Sequence, residues 1–201
     1  VPVVRSRGAL AGVDAVIVNA VDRTSAIYLI GLAMKYEKPI VFINREPLYE
    51  DLCLYDGAYY VGTDPKELGT ICGQIMADYF LAHPEADKNG DGVIQYVLLK
   101  GQLGHQDAEL RTLYSVKALQ DAGFSLEKLA EEDARWERTQ GQEAMAGFLN
   151  EYGDGIECVI SNNDDMALGA IDALKAAGYF SNGLFMPVVG VDATRQALEA
   201  L

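Results

Sequence analysis

An α/β fold, a parallel sheet covered by helices on both faces, is predicted by three features of the sequence. Short runs rich in Val and Ile, at 13–19, 39–44, 95–100, 157–162 and 186–191, are largely continuous in apolar character, as strands buried on both faces are. Segments of helical period separate them, at 24–36, 65–82, 108–122, 139–152, 165–177 and 193–201, several opening after an Asp, Asn or Thr able to cap. The elements follow in β-α order, and parallel neighbours require such helical crossovers.

In sheets of this kind ligands lie beyond the carboxyl ends of the strands, so the residues just after each apolar run are the first candidates for function. They are polar at five places: Asn19, Asn44, the stretch 100–111, Asn162 with Asn163, and Asp192. Any one of them is also explained as a turn or cap residue. Their recurrence at successive strand ends points to one cleft. The segment 44–60, where Pro, Asp and Gly cluster, is the most linker-like part of the chain.

Composition bounds the function. With 201 residues, half of them apolar and 9% aromatic, the chain can bury a sizeable core in one or two domains. A formal charge of -14, from 30 acidic and 16 basic residues, repels phosphate backbones and anionic membranes, so nucleic acid is a poor partner. Cys53, Cys72 and Cys158 are odd in number and far apart, which suggests free thiols rather than a disulfide framework or a zinc site. No run reaches the length of a membrane span, and residues 1–8 lack the features of a signal peptide, as a mature chain also would.

The segment Asp87-Lys88-Asn89-Gly90-Asp91-Gly92-Val93-Ile94-Gln95 sets oxygen-bearing side chains at alternate positions and then Gly at the sharp turn, the first part of an EF-hand loop. Val93 can give a backbone carbonyl and Gln95 an amide oxygen. Leu98 stands where the closing Glu belongs, and the residues around it read as a strand, so a carboxylate must arrive from elsewhere if Ca²⁺ binds. The same residues also make a plain turn. Neutral sugars need flat rings against their C–H faces and planar polar groups for paired hydroxyls. His105, Asp107 and Arg111 offer such groups over two helical turns, though the i, i+4 spacing of Asp107 and Arg111 also makes a surface ion pair. Trp136, the sole tryptophan, reads from the sequence alone as a core residue.

Six motifs together resemble the glucose/galactose-binding family of bacterial periplasmic receptors. They are Gly12-Val13-Asp14-Ala15, Ala58-Tyr59-Tyr60-Val61-Gly62-Thr63-Asp64, Val97-Leu98-Leu99-Lys100-Gly101, Gly104-His105-x-Asp107-Ala108-Glu109-x-Arg111, Asn162-Asn163-Asp164 and Gly190-Val191-Asp192-Ala193. The resemblance runs from about Gly12 to Leu201. It implies the type I periplasmic binding fold, in which sugar lies between two Rossmann-like lobes, residues 1–38 ending the first and 39–201 forming most of the second. It implies sugar-binding roles for Asn19, His105, Asp107, Arg111, Asn163 and Asp192, with Trp136 stacking on the sugar. It also closes the calcium site with Glu157, giving Asp87, Asn89, Asp91, Val93, Gln95 and Glu157 as ligands.

The family carries further N- and C-terminal stretches without counterparts here. The chain therefore reads as a central portion, expected to keep calcium but to bind sugar weakly or not at all by itself. The expected role is a non-enzymatic receptor for D-glucose or D-galactose that delivers sugar to the membrane subunits of an ABC importer and, in some relatives, to a chemoreceptor. The expected location is periplasmic, or extracellular and lipid-anchored in a Gram-positive organism. A sugar-responsive transcription regulator of the LacI type is the alternative, but it requires a DNA-reading helix-turn-helix and a basic patch, and neither is seen. An enzyme is disfavoured because the sequence lacks G-x-G-x-x-G, G-x-x-x-x-G-K-[ST] and G-x-S-x-G, and no nucleophile accompanies His105 and Asp107.

Overall fold

Apolar strands are buried under helices around separate cores in the two parts of the chain. A computed structural model describes residues 12–181 and 183–200. It divides into two compact units, Val1–Asp64 and Pro65–Leu201. The sequence places this boundary before Pro39. The structure puts it after Asp64, because β2 (Ile40–Ile43) pairs in parallel with both β1 (Val16–Val18) and β3 (Ala58–Val61) and so belongs to the first sheet. Residues 1–11 of the predicted first lobe and the final residue of the predicted helix 193–201 lie outside the described residues.

The first unit is a three-stranded parallel sheet in the order β1-β2-β3. One face packs Ile40 and Phe42 against Ala26, Leu29, Ile30 and Ala33, all on α1 (Ala26–Lys35). The segment 44–60, expected to be linker, instead holds a short helix α2 (Tyr49–Leu52) and most of β3. Its Pro47, Asp56 and Gly57 occupy the connections around those elements, while Asp51 lies within α2, so composition alone hides both elements.

The second unit is a four-stranded parallel sheet in the order β5-β4-β6-β7, from Ser125–Asp133, Val93–Lys100, Cys158–Ser161 and Val188–Val189. The pleat sends alternate residues of β4 to opposite cores. Val97 and Leu99 meet Met145 and Phe148 of α5 (Arg138–Tyr152) and Met166, Ala170 and Leu174 of α6 (Asp164–Ala176). Ile94, Tyr96 and Leu98 meet Cys72, Met76 and Phe80 of α3 (Pro65–Ala82) and Leu119 of α4 (Gln106–Asp121). Both faces are buried, and that is why the central strands are apolar without alternation. A last short helix, α7 (Arg195–Ala200), follows β7.

The edge strand β5 was absent from the sequence prediction. It is half exposed, and its register against β4 shifts between Tyr96 and Val97, which breaks the two-residue period by which a strand is recognised.

The helix pairs on each face approach closely at glycines. A Cβ on Gly73 of α3 would stand 2.3 Å from the Ser115 carbonyl oxygen of α4, and one on Gly169 of α6 would stand 2.0 Å from that of Arg138 on α5. Gly169→Ala is therefore expected to lower stability by about 1–3 kcal/mol through overpacking. Gly147→Ala on the open side of α5, where a Cβ meets nothing within 4 Å, should leave stability unchanged or slightly raised. Urea denaturation of the two variants reads both.

Candidate functional site

Four polar segments leave the carboxyl ends of the four strands of the second unit: 101–105 after β4, 134–137 after β5, Asn162 and Asn163 after β6, and Asp192 beyond β7. Arg111 on α4 meets three of them, at Trp136, Asn162 and Asp192. It is 9% exposed, and a buried guanidinium must find acceptors. Its Nη2 donates to Asp107 Oδ2 at 3.1 Å, one helical turn earlier, and its Nη1 donates to the Asn162 carbonyl at 2.9 Å. Nη1 also lies 3.6 Å from Asp192 Oδ1. The buried Nε has no hydrogen-bond partner among the described residues.

Trp136 completes the cluster. Its ring lies 5.7 Å from the Arg111 guanidinium carbon and 5.1 Å from the His105 ring, which meets it edge-on. The residue is only partly buried, so the expectation of a core tryptophan gives way to one that reaches the surface of the cluster. His105 begins α4, where its Nδ1 accepts from the Asp107 backbone N–H at 3.2 Å. Asn163 begins α6: its Oδ1 accepts from the Met166 N–H at 3.0 Å and its Nδ2 donates to the Trp136 carbonyl at 3.2 Å.

Asp192 is held in a strained backbone, with φ at 113°, where non-glycine residues seldom sit. Partial burial raises its pKa; Arg111 pulls it down, while Asp164, Asp165 and Asp107 push it further up. Under the loop 101–105, Lys100 bonds Glu109 Oε2 at 2.7 Å and faces Glu131 at 3.4 Å. Burial works to lower the Lys100 pKa, but the two carboxylates outweigh it and the net shift is upward.

Six of the seven predicted sugar residues thus share the second unit: His105, Asp107, Arg111, Trp136, Asn163 and Asp192 lie at its strand ends. Asn19 belongs to the first unit, just after β1, where its Oδ1 accepts from Asn44 Nδ2 at 3.4 Å. Sequence reasoning overlooked Thr112, which bonds the Asn162 side chain, and Asp133, which bonds the Leu103 and Arg135 backbones. Asp133 follows from recognising β5, since it ends that strand.

The residues of the acidic loop also come together. Asp87 accepts from the Gly90 and Gly92 N–H groups, and the Asp91 Oδ1 accepts from Val93 N–H. Asn89 Nδ2 and Gln95 Nε2 both donate to Asp91 Oδ2. Glu157, 1% exposed, accepts from Lys88 N–H at 2.6 Å and Gln95 N–H at 3.0 Å, and so clasps both ends of the loop. Its burial raises its pKa, only partly offset by those two bonds. Among the described residues no three His, Cys, Asp or Glu side chains are grouped to hold a metal. An oxygen site here would lean on the amides of Asn89 and Gln95 and on the Val93 carbonyl.

A parallel sheet with polar side chains converging beyond its strand ends defines a solute-binding class of α/β protein. Residues 7–201 match the family described as periplasmic binding protein domain, and the chain belongs to that family. It is 42% identical to the D-galactose/methyl-galactoside binding periplasmic protein of Haemophilus influenzae over 94% of its length and 56% of that protein's. It superposes with a TM-score of 0.75, at 32% identity, on an ABC transporter solute binding protein of Bacillus halodurans with bound myo-inositol, covering 94% of this chain and 59% of that one. The arabinose ABC transporter binding protein of a Shewanella species, bound to L-arabinofuranose, gives a TM-score of 0.80 at 26% identity, covering 96% and 60%. The chain thus spans well under two thirds of the length of these relatives.

Asn163→Ala removes both a helix cap and the bond to the Trp136 carbonyl, and should destabilise the protein by about 1–2 kcal/mol. Asn163→Asp keeps the capping oxygen and should recover most of that loss in thermal melts.

Proposed function

We propose that the protein is a non-enzymatic solute receptor whose second unit binds an aldohexose, D-galactose or D-glucose, for an ABC importer outside the cytoplasmic membrane. The observation that carries this reading is the pairing of Trp136 with the Asp107–Arg111–Asp192 cluster. It sets an aromatic surface for sugar C–H groups beside charged planar groups that make strong bonds to adjacent hydroxyls. The similarity to the Haemophilus galactose-binding protein favours an aldohexose over the inositol and arabinose of the other two relatives. The cluster offers donors and acceptors of the planar, charged kind that capture a polyhydroxylated solute.

Ligand-detected NMR reads binding even in the millimolar range, and a panel of galactose, glucose, ribose, arabinose and myo-inositol tests the reading. Galactose or glucose is expected to give the strongest saturable signal. Asp107→Ala and Arg111→Ala should each weaken it by roughly 2 kcal/mol or more, because each leaves a buried charged partner unpaired. Binding that favours ribose, arabinose or myo-inositol over both hexoses contradicts the proposal.

The pH profile carries a sign. Protonating Asp192 removes a hydroxyl acceptor, so affinity should fall on acidification through a pH above the usual carboxylate value of about 4, because its pKa is raised. Asp192→Asn should flatten that part of the profile.

The acidic loop fits a Ca²⁺ ion with side-chain oxygens of Asp87, Asn89, Asp91, Gln95 and Glu157 and the Val93 carbonyl, once the Asn89 and Gln95 amides turn their oxygens inward. A hard cation of this size takes about six to eight such donors. When bound, calcium would stabilise the loop and its junction with β6 and take no part in binding sugar. Excess chelator should therefore lower the melting temperature, and Glu157→Gln should lower it without chelator. Melting unaffected by chelator or added calcium would leave the loop as a turn held by its own hydrogen bonds.

A further inference from the structure

Beyond the bond its carbonyl accepts from Asn163, Trp136 is held in place by a second set of contacts. The indole rests on the backbone of Gly101: a Cβ there would fall 2.2 Å from its Cζ2 and 2.4 Å from its Cε2. Any side chain at 101 would push the ring off its seat. The backbone that carries the ring is itself strained, since Arg135 and Trp136 are consecutive non-glycine residues at φ of 52° and 68°. Two residues in the left-handed region do not stay there unless neighbours hold them.

Asp133 is the group that holds both sides of this contact. Its Oδ1 accepts from the Arg135 N–H at 3.1 Å, fixing the first left-handed residue, and its Oδ2 accepts from the Leu103 N–H at 3.1 Å, in the loop that contains Gly101. One carboxylate therefore ties segment 134–137 to segment 101–105. The other bonds around the seat are consistent with it. The Ala134 N–H donates to the Lys100 carbonyl at 2.9 Å, and the Asn162 Oδ1 accepts from the Gly101 N–H at 3.0 Å.

We infer that Asp133 is a positioning residue for Trp136: it clamps the two loops together so that the indole stays against Gly101, with the Arg111 guanidinium and the His105 ring beside it. The functional part of this inference rests on the sugar-binding reading of the same cluster; the seating of the ring does not. The bonds of Asp133 go to backbone N–H groups of Leu103 and Arg135, not to a side chain proposed to contact sugar. Its effect is on where the stacking surface stands, and a rigid, pre-placed ring costs less to order when the ligand arrives.

The sole tryptophan makes the test direct, because intrinsic fluorescence reports Trp136 alone. In Asp133→Ala, without sugar, the acrylamide quenching constant should rise about twofold and the emission shift to the red as the seat opens locally. Glu132→Ala, an exposed neighbour on the same strand, should behave as wild type. Gly101→Ala, which drives a methyl into the ring, should reproduce the Asp133→Ala spectrum with Asp133 intact. Wild-type quenching in a folded Asp133→Ala protein overturns the inference. Should circular dichroism show that variant unfolded, Asp133→Asn decides: it keeps one accepting oxygen but faces the other N–H with an amide group, and wild-type quenching in it overturns the inference equally.

Galactose titration supplies the second arm, with binding to Asp133→Ala expected to be about fivefold weaker. Unchanged affinity alongside a displaced indole overturns the positioning role. If the wild-type protein binds no sugar while the quenching results hold, the failure belongs to the sugar reading and the seating of Trp136 stands.

Discussion

A guanidinium taken out of water has to be surrounded by acceptors, and the second unit is organised around that requirement at Arg111. Asp107 answers it from one turn back on the same helix, the Asn162 carbonyl from the end of β6, and Asp192 from beyond β7. Replacing such a buried charged network with apolar residues often costs nothing or even stabilises a fold, so its presence here is better explained by binding than by stability. The same groups that satisfy Arg111 are the ones that a polyhydroxylated ligand would meet.

The sheet decides where this happens. In parallel β-α units each strand end passes into a loop on the same edge, so four strands bring four loops together without any long excursion of the chain. Close helix pairs on both faces, with glycines at the crossings, leave the strands little freedom to slide. The cluster is therefore mounted on rigid elements, with its adjustable parts confined to short loops. Those loops are in turn pinned by side chains such as Asn162, Asp133 and Glu109, which bond backbone N–H groups at their turns.

Much of this was legible in the sequence, for physical reasons that also mark its limits. Strands buried on both faces, such as 95–100 and 157–162, carry a continuous apolar signal that no loop imitates, and the polar residues behind them stood out by contrast. Strand β5 carried no such signal, because an edge strand with a bulge needs neither an apolar run nor strict alternation. Missing it hid Asp133 and left Trp136 without a local context, so that only the family resemblance gave the ring a role. The division expected before Pro39 came from the resemblance, whereas the compact units divide after Asp64; β3 is four residues long among turn formers, so the pairing that ties β2 to it left no mark in the pattern. The convergence of Glu157 on the acidic loop was beyond any local pattern. It depends on β6 lying beside β4, which only the assembled sheet determines.

In the proposed function, sugar binds at the strand-end cluster around Arg111. Two-dimensional NMR of isotopically labelled protein titrated with D-galactose tests it most directly, through the Trp136 indole N–H, the Arg111 Nε–H and the backbone amides of 101–105, 162–163 and 192. The account predicts saturable shifts confined to these groups and their immediate neighbours, with the acidic loop at 87–95 unmoved. Saturable shifts centred elsewhere in the second unit, with the Trp136 and Arg111 signals unchanged, would contradict it.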